Sequence, residues 1–335
     1  MSDKLKFVDG YNRKVDYLRI SITDRCNLRC VYCMPPEGIE LARTDEILRY
    51  EELLRIARIA AGHGVSKVRI TGGEPLIRRG LVDFIGALSA IKGIDDLSLT
   101  TNGVLLKQYA GQLKSAGLKR VNVSLDSLRR ERFHKITRGD NLSEVIAGIE
   151  EANQVGLTPV KINVVVIKGF NDDEILDFAM LTKTHPYHVR FIEYMPFDSQ
   201  AGWQKDKCLS SRELQEMIGR ASPLLPISET SGCPNAGPAR RFRFADGVGE
   251  LGFISPVSDH FCGSCNRLRL TADGKLRTCL FSDDEIDLRE ALRNGSSDKA
   301  IEAILFKAVA AKPQGHKINE NMFKKCSRTM SLIGG

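Results

Sequence analysis

Cys26, Cys30 and Cys33 form a C-x3-C-x2-C run directly after an apolar, strand-like stretch at residues 17–23. Three thiolates are one ligand short of a closed tetrahedral site, and a metal centre with an open position is where a substrate or cofactor can bind. Such a triad suits an iron–sulfur cluster, zinc or another soft metal. The run also constrains the fold, because the strand before it must deliver its carboxyl end to a long loop. No helical signal returns until about Tyr50, and loops of that length are usually functional.

The 335 residues, 42% of them hydrophobic, suffice for one barrel-sized domain or two ordinary ones. The nine cysteines are odd in number and grouped, which fits metal ligation in a reducing compartment better than a disulfide framework. The start, Met1 to Lys6, is charged with no apolar segment behind it, and no apolar run is long enough to span a bilayer. The expectation is a soluble, non-exported, cytoplasmic protein. A net charge of +7 without any long Lys/Arg block is compatible with an anionic ligand such as a nucleotide, or with weak nucleic-acid attraction, and decides neither.

Strand-like segments at residues 18–23, 66–71, 97–101, 120–126, 160–167 and 189–194 alternate with helix-period segments. Leu53, Ile56 and Ala60, then Leu81, Phe84, Ile85 and Leu88, then Val145, Ile149 and Ala152 recur at helical spacing, with Gly62 and Gly156 at expected helix ends. The class is α/β with a parallel sheet, closed as a doubly wound sheet or a barrel. Residues 26–33, Gly72-Gly73 and residues 100–103 all follow strands, where ligands of parallel βα folds bind. Residues 222–238 contain Pro223, Pro226, Pro234 and Pro238 and read as a linker or irregular crossing. Beyond it, short alternating runs at 241–244, 250–254 and 267–271 flank turn signals at Asp246-Gly247 and Asp273-Gly274, and helical segments follow to about Ala311. The expected division is a first unit over 1–221 and a second over 222–335.

The triad together with Gly72-Gly73-Glu74-Pro75 resembles the radical S-adenosylmethionine (SAM) superfamily. The resemblance implies a partial (β/α)6 barrel, which periodicity alone does not reach, and a 4Fe-4S cluster on Cys26, Cys30 and Cys33 whose fourth iron takes SAM. A second triad, Cys262, Cys265 and Cys279, is again one ligand short. On spacing alone His260 completes it as a structural zinc site. Combined with Asn266-Arg267-Leu268-Arg269 and the terminal Gly334-Gly335, however, it resembles the GTP 3′,8-cyclase family of molybdenum cofactor biosynthesis, over nearly the whole chain. That resemblance implies a second 4Fe-4S cluster in a C-terminal α+β region, with its open iron facing the purine of GTP.

Carried over residue by residue, the resemblance assigns Tyr32, Gly73, Ser124, Arg190 and Met195 to SAM. To GTP it assigns Arg19, Arg69, Thr100, Lys161, Arg267, Leu268 and Arg269. Arg267, Arg269 and the Gly334-Gly335 tail are its catalytic groups. Several readings rest on the residues as well. Gly73 lacks a Cβ and allows close backbone approach. Arg190 shares a strand face with Ile192 and needs an anion there. Arg19, Arg69 and Lys161 sit among apolar neighbours and need either barrel carboxylates or a bound anion. Arg267 and Arg269 share a face by period-two alternation, which leaves Leu268 backbone or packing contacts. Cys208, Cys233 and Cys326 match no motif and read as unligated thiols.

The implied reaction is the rearrangement of GTP into a cyclic dihydro-nucleotide triphosphate, begun when a 5′-deoxyadenosyl radical takes hydrogen from ribose carbon 3′. The implied partners are GTP, an electron donor and the next enzyme of the pathway, with no membrane, no specific nucleic acid, and a monomeric or homodimeric state. Two other readings compete: a radical SAM protein with an auxiliary cluster acting on a peptide, and a zinc-stabilised nucleic-acid-binding protein. Iron and sulfide in brown purified protein would remove the zinc reading.

Overall fold

In the computed structural model, residues 5–197, 205–227, 237–316 and 326–334 are described. The first half alternates β1 (Tyr17–Ser21), α1 (Tyr50–Gly62), β2 (Lys67–Thr71), α2 (Leu81–Ser89), β3 (Asp96–Thr101), α3 (Leu106–Ser115) and β4 (Arg120–Ser124). It continues through α4 (Arg130–Thr137), α5 (Leu142–Gln154), β5 (Lys161–Val166), α6 (Ile175–Thr184), β6 (His188–Glu193) and α7 (Ser211–Ala221). The second half runs β7 (Leu224–Pro226), β8 (Arg240–Phe244), β9 (Glu250–Ile254), β10 (Arg267–Leu270), β11 (Lys275–Arg277) and β12 (Glu285–Asp287). Helices α8 (Arg289–Arg293), α9 (Asp298–Ala310) and α10 (Met330–Ile333) follow.

All twelve strands form one sheet in the order β12-β11-β10-β1-β2-β3-β4-β5-β6-β9-β8-β7. The six expected βα strands are parallel neighbours at its centre, which is the partial-barrel core. The C-terminal strands do not stack as a separate layer. β10 adds parallel to β1 and β9 adds parallel to β6, so both edges of the barrel sheet are extended by the second half of the chain. The two turn signals were legible: Asp246-Gly247 joins the antiparallel pair β8–β9 and Asp273-Gly274 the pair β10–β11.

Two local expectations are corrected. The stretch at 222–238 carries strand β7, antiparallel to β8, because Pro226 stands at a sheet edge where a missing N–H is tolerated. β4 is followed by two helices, since α4 stops at Arg138 in the left-handed region (φ 56°) and α5 starts again after it.

Alternation along the strands explains why the sheet curves around a polar interior. Leu18 and Ile20, Val68 and Ile70, Leu97 and Leu99, Val121 and Val123, Ile162 and Val164, and Val189 and Phe191 are buried in one core cluster beneath the helices. The intervening residues, among them Arg19, Arg69, Arg120, Lys161 and Arg190, line a cavity on the other face. A parallel sheet covered on both sides by helices would read as unbroken apolar runs. Here the period-two pattern persists because one face surrounds solvent or ligand. The expected helical positions Leu53, Ile56, Ala60, Phe84, Ile85, Leu88, Val145, Ile149 and Ala152 are all buried. No helix among the described residues is long and apolar enough to cross a membrane.

Candidate active site

The cavity measures about 740 Å³ and is lined by all six cysteines of the two triads, so groups more than two hundred residues apart in sequence face the same space. The first triad lies on the loop after β1, and two neighbours hold that loop. From α4, the carbonyls of Thr137 and Ile136 accept from Arg29 N and Val31 N, each at 2.9 Å, while Arg138 donates back to the Arg29 carbonyl at 2.7 Å. From the end of β2, Gly73 N donates to the Thr23 carbonyl at 2.7 Å and Glu74 N to the Arg25 carbonyl at 2.8 Å.

The glycines of this turn are required by backbone. A Cβ on Gly73 would lie 2.2 Å from the Arg25 carbonyl oxygen, and one on Gly72 would lie 2.9 Å from that of Thr23. Gly73 also lines the cavity, but its lack of a side chain already follows from the close approach of the cysteine loop. Glu74 completes the clamp. It is buried and accepts from Leu76 N at 3.0 Å, Asn102 N at 2.7 Å and Thr101 Oγ1 at 2.7 Å, and burial pushes its carboxyl up to about 7 against those bonds. Gly73→Ala is therefore expected to displace the cysteine loop and remove about half of the iron from reconstituted protein, without touching a ligand. Iron per folded chain checks this, and an unchanged count would show that the turn does not hold the loop.

The thiols of the first triad are raised by burial, Cys26 then by Glu74 and Cys30 and Cys33 by neighbouring thiols, Cys33 to about 12. Ionising them together needs compensating positive charge from a metal. Leu28 N donates to Cys26 Sγ at 3.5 Å, and Ser331 beside Cys33 opposes the rise of that thiol. In the second triad burial raises Cys265, but Arg267 and Lys312 outweigh it and bring the thiol to about 7. Lys312 is buried, with Cys265 Sγ at 3.4 Å and the carbonyls of Arg267 and Thr278 at 3.0 Å as its partners. Among the described residues no three His, Cys, Asp or Glu side chains converge as a single ion requires. His260 does not complete a zinc site; its ring packs edge-on against His316 at 5.0 Å. Two thiol-only triads, the second beside the buried Lys312, fit anionic iron–sulfur clusters, in which each thiolate binds its own iron.

Between the triads the cavity wall is strongly cationic. Arg13, Arg19, Lys67, Arg69, Arg120, Lys161, Arg190, Arg241, Arg267, Arg269 and Lys312 line it, against two carboxylates, Asp96 and Asp126. Asp96 is taken by a two-pronged pair with Arg120, whose Nη2 lies 2.6 Å from Oδ2. The other carboxylate, Asp126, is pushed up to about 6 by burial and accepts from Tyr32 Oη and from Val165 N. Burial first, then neighbouring guanidiniums, lowers Arg190 to about 9 and Arg269 to about 10. Arg19 is displaced downward in the same way, with Arg269 the largest charge contribution. Arg69 donates to Ser98 Oγ at 3.3 Å, so its bond is to a hydroxyl instead of a barrel carboxylate. Tyr17 Oη, Thr100 Oγ1 and Asn163 Oδ1 are buried around this cavity with no hydrogen-bond partner, as polar groups awaiting a ligand would be.

The expected site residues largely converge. Tyr32, Gly73, Ser124, Arg190, Met195, Arg19, Arg69, Thr100, Lys161, Arg267 and Arg269 all line this one cavity. Leu268 is the exception: its side chain is buried in the hydrophobic core on the opposite face of β10, as alternation requires. Gly334 lies against the ends of β1 and β2 with φ 83°, and a Cβ there would meet Thr71 Oγ1 at 2.7 Å. Its carbonyl accepts from Arg269 Nη1 at 3.1 Å. Gly335 and Cys233 lie outside the described residues. Cys208 and Cys326 are free thiols. Sequence reasoning missed Lys67, Arg120, Asp126, Arg241 and Lys312. For Lys67 and Arg120 the signal was present, since each shares a strand face with an expected residue.

A parallel partial barrel with a three-cysteine loop at its carboxyl end and a Gly-Gly-Glu-Pro clamp defines a radical SAM protein. In agreement, the Radical SAM superfamily pattern matches residues 20–182, and the Molybdenum Cofactor Synthesis C pattern matches residues 187–318. A solved structure of Streptococcus suis SuiB shares the fold, with a TM-score of 0.61 at 18% identity over 91% of this chain and 68% of that one. A protein of Thermodesulfovibrio yellowstonii named GTP 3′,8-cyclase is 53% identical over 98% of this chain and 99% of its own length. One of the same name from Pelotomaculum thermopropionicum is 50% identical over 98% and 99%. The chain belongs to the GTP 3′,8-cyclase family of radical SAM enzymes.

Proposed function

We propose that this chain converts GTP to (8S)-3′,8-cyclo-7,8-dihydroguanosine 5′-triphosphate, the first step of molybdenum cofactor biosynthesis. The observation that carries the reading is the cavity itself: eleven Arg and Lys side chains and two carboxylates line it, between two cysteine triads. Arg13, Arg120 and Arg241 already pair with Asp9, Asp96 and Glu250, whereas Arg190 and Arg269 are buried beside other guanidiniums, and a triphosphate would supply the counter-charge there. Its relatives' shared name identifies the nucleotide.

Cys26, Cys30 and Cys33 would hold one 4Fe-4S cluster with SAM, and Cys262, Cys265 and Cys279 a second. When bound, these groups supply one-electron reduction and hydrogen abstraction. The chain's own residues do the rest. Tyr32, Gly73, Ser124, Arg190 and Met195 are assigned to SAM and the strand-borne cations Arg19, Arg69, Lys161, Arg267 and Arg269 to the triphosphate. Fixing both reactants in one closed space at near-attack distance is the protein's main contribution. Phe197 stacks on Phe281 at 5.2 Å in the cavity wall and helps exclude water. An electron donor, contact with the next enzyme of the pathway, and a monomeric or homodimeric state remain part of the proposal. Anaerobic incubation of reconstituted protein with GTP, SAM and a reductant tests it. Cyclised nucleotide and 5′-deoxyadenosine in equal amounts are expected, and SAM cleavage that leaves GTP intact would contradict it.

The wall chemistry also gives GTP binding a proton linkage. Burial, then the charges of Arg190, Arg120 and Arg69, holds Lys161 down at about 5, so it is neutral near pH 7. A phosphate against it restores its ordinary basicity, so binding takes up a proton at pH values between about 5 and the restored value near 10. Calorimetry in buffers of different ionisation enthalpy should show net uptake approaching one proton per GTP, with affinity falling as pH rises. Lys161→Met should abolish the uptake. An equal proton count in the two proteins would place the phosphates elsewhere.

A further inference from the structure

The C-terminal segment lines this cavity through Met330 and Ser331. Residues 330–334 reach both halves of the site. Ser331 lines the cavity with Cys33 of the first triad, and the Gly334 carbonyl accepts from Arg269 of β10. Only one turn of helix supports that reach, with Leu332 N and Ile333 N donating to the Thr329 carbonyl at 3.1 and 3.3 Å and Gly334 N to that of Met330 at 3.1 Å. A helix so short has no intrinsic stability and must be held from its ends.

We propose that Arg328 is the positioning residue that seats this segment, clamped in a carboxylate fork immediately before α10. Its Nη1 and Nη2 donate to the two oxygens of Asp273 at 3.1 and 2.9 Å, and Nη2 also reaches Glu285 Oε2 at 2.9 Å. The planar guanidinium meets Asp273 in the paired geometry that fixes direction as well as distance. Both carboxylates stand on built supports. Asp273 occupies the β10–β11 turn and accepts from Thr271 Oγ1, and Glu285 on β12 also pairs with Arg277, which is fully buried.

Arg277 is the last residue of β11, two positions before Cys279. The fork therefore ties the tail to the strand that delivers the third cysteine of the second triad. The preceding residues add weaker ties: Ser327 N and Oγ donate to Asp283 Oδ1 at 2.9 and 3.0 Å, and Cys326 packs with Phe197 and Ile333. Burial opposes ionisation of Asp273, but Arg328 and Thr271 outweigh it and hold the carboxyl below its ordinary range.

The inference rests on the proposed cyclase reading for its effect on turnover, but the anchoring is measurable without GTP. In the cluster-loaded full chain, amide hydrogen exchange at residues 332–334 is expected to quicken at least tenfold in Arg328→Ala, with iron content unchanged. Cyclised product is expected to fall at least tenfold. Arg328→Lys should recover part of both, because an ammonium cannot span the fork. Asp273→Asn combined with Glu285→Gln removes the same anchor from the other side and should reproduce the loss. Unchanged exchange in these variants overturns the anchoring, and faster exchange with wild-type turnover overturns the positioning role. If wild-type protein leaves GTP unreacted while its tail is protected and the variants' tails are not, the cyclase reading fails and the anchoring stands.

Discussion

Cys30→Ala is expected to abolish 5′-deoxyadenosine formation and cyclised product together, whereas Cys265→Ala should abolish the product and leave residual SAM cleavage. The two triads are far apart in sequence and face one cavity from different elements, the loop after β1 for the first, and the segment before β10 with the residues after β11 for the second. On the proposed reading, SAM cleavage requires only the first triad's cluster, and cyclisation requires substrate held at the second as well. Each variant should lose about half of a wild-type content near eight irons per chain. Anaerobic reconstitution, iron analysis and quantitation of 5′-deoxyadenosine and nucleotide product check this. Equal loss of both activities in two folded variants would contradict the division of labour, and stoichiometric zinc at the second triad would remove its cluster.

Arg269→Ala is expected to weaken GTP binding by roughly 10- to 150-fold, the equivalent of about 1.5 to 3 kcal/mol for a lost charge-assisted hydrogen bond. Arg267→Ala should do the same, but it also removes the largest charge that keeps Cys265 near its thiolate form. Arg269 is buried and bonded to the Gly334 carbonyl, so tail protection is read alongside GTP affinity in its variant. SAM affinity should hardly change. Lysine at either position should recover only part of the loss, since it lacks the guanidinium fork. Calorimetric titration of GTP into cluster-loaded variants decides the matter, and near wild-type affinity in both would make these arginines structural.

Much of this was legible in sequence because the chemistry is local. Ligands of one cluster crowd within a few residues, so Cys26, Cys30 and Cys33 announce themselves, and period-two alternation placed Arg190, Arg267 and Arg269 on the cavity face. The same alternation ought to have removed Leu268, whose side chain packs into the core. Local patterns also suggested that Gly73 serves the ligand; the 2.2 Å approach of the Arg25 carbonyl is a tertiary fact. Lys312 beside Cys265, Arg13 donating to the Cys262 carbonyl at 2.7 Å, and Arg328 in its fork join positions far apart along the chain, and no single-sequence period encodes them. Strand β7 was hidden for a different reason, because prolines that break a central strand are tolerated at an edge.

The most direct test of the central claim uses GTP carrying deuterium at ribose carbon 3′, turned over anaerobically with SAM and reductant by the reconstituted protein. Transfer of that deuterium into 5′-deoxyadenosine, matched by cyclised nucleotide, is the result expected of a cavity that holds the two reactants together. Deuterium-free 5′-deoxyadenosine with unreacted GTP would contradict it.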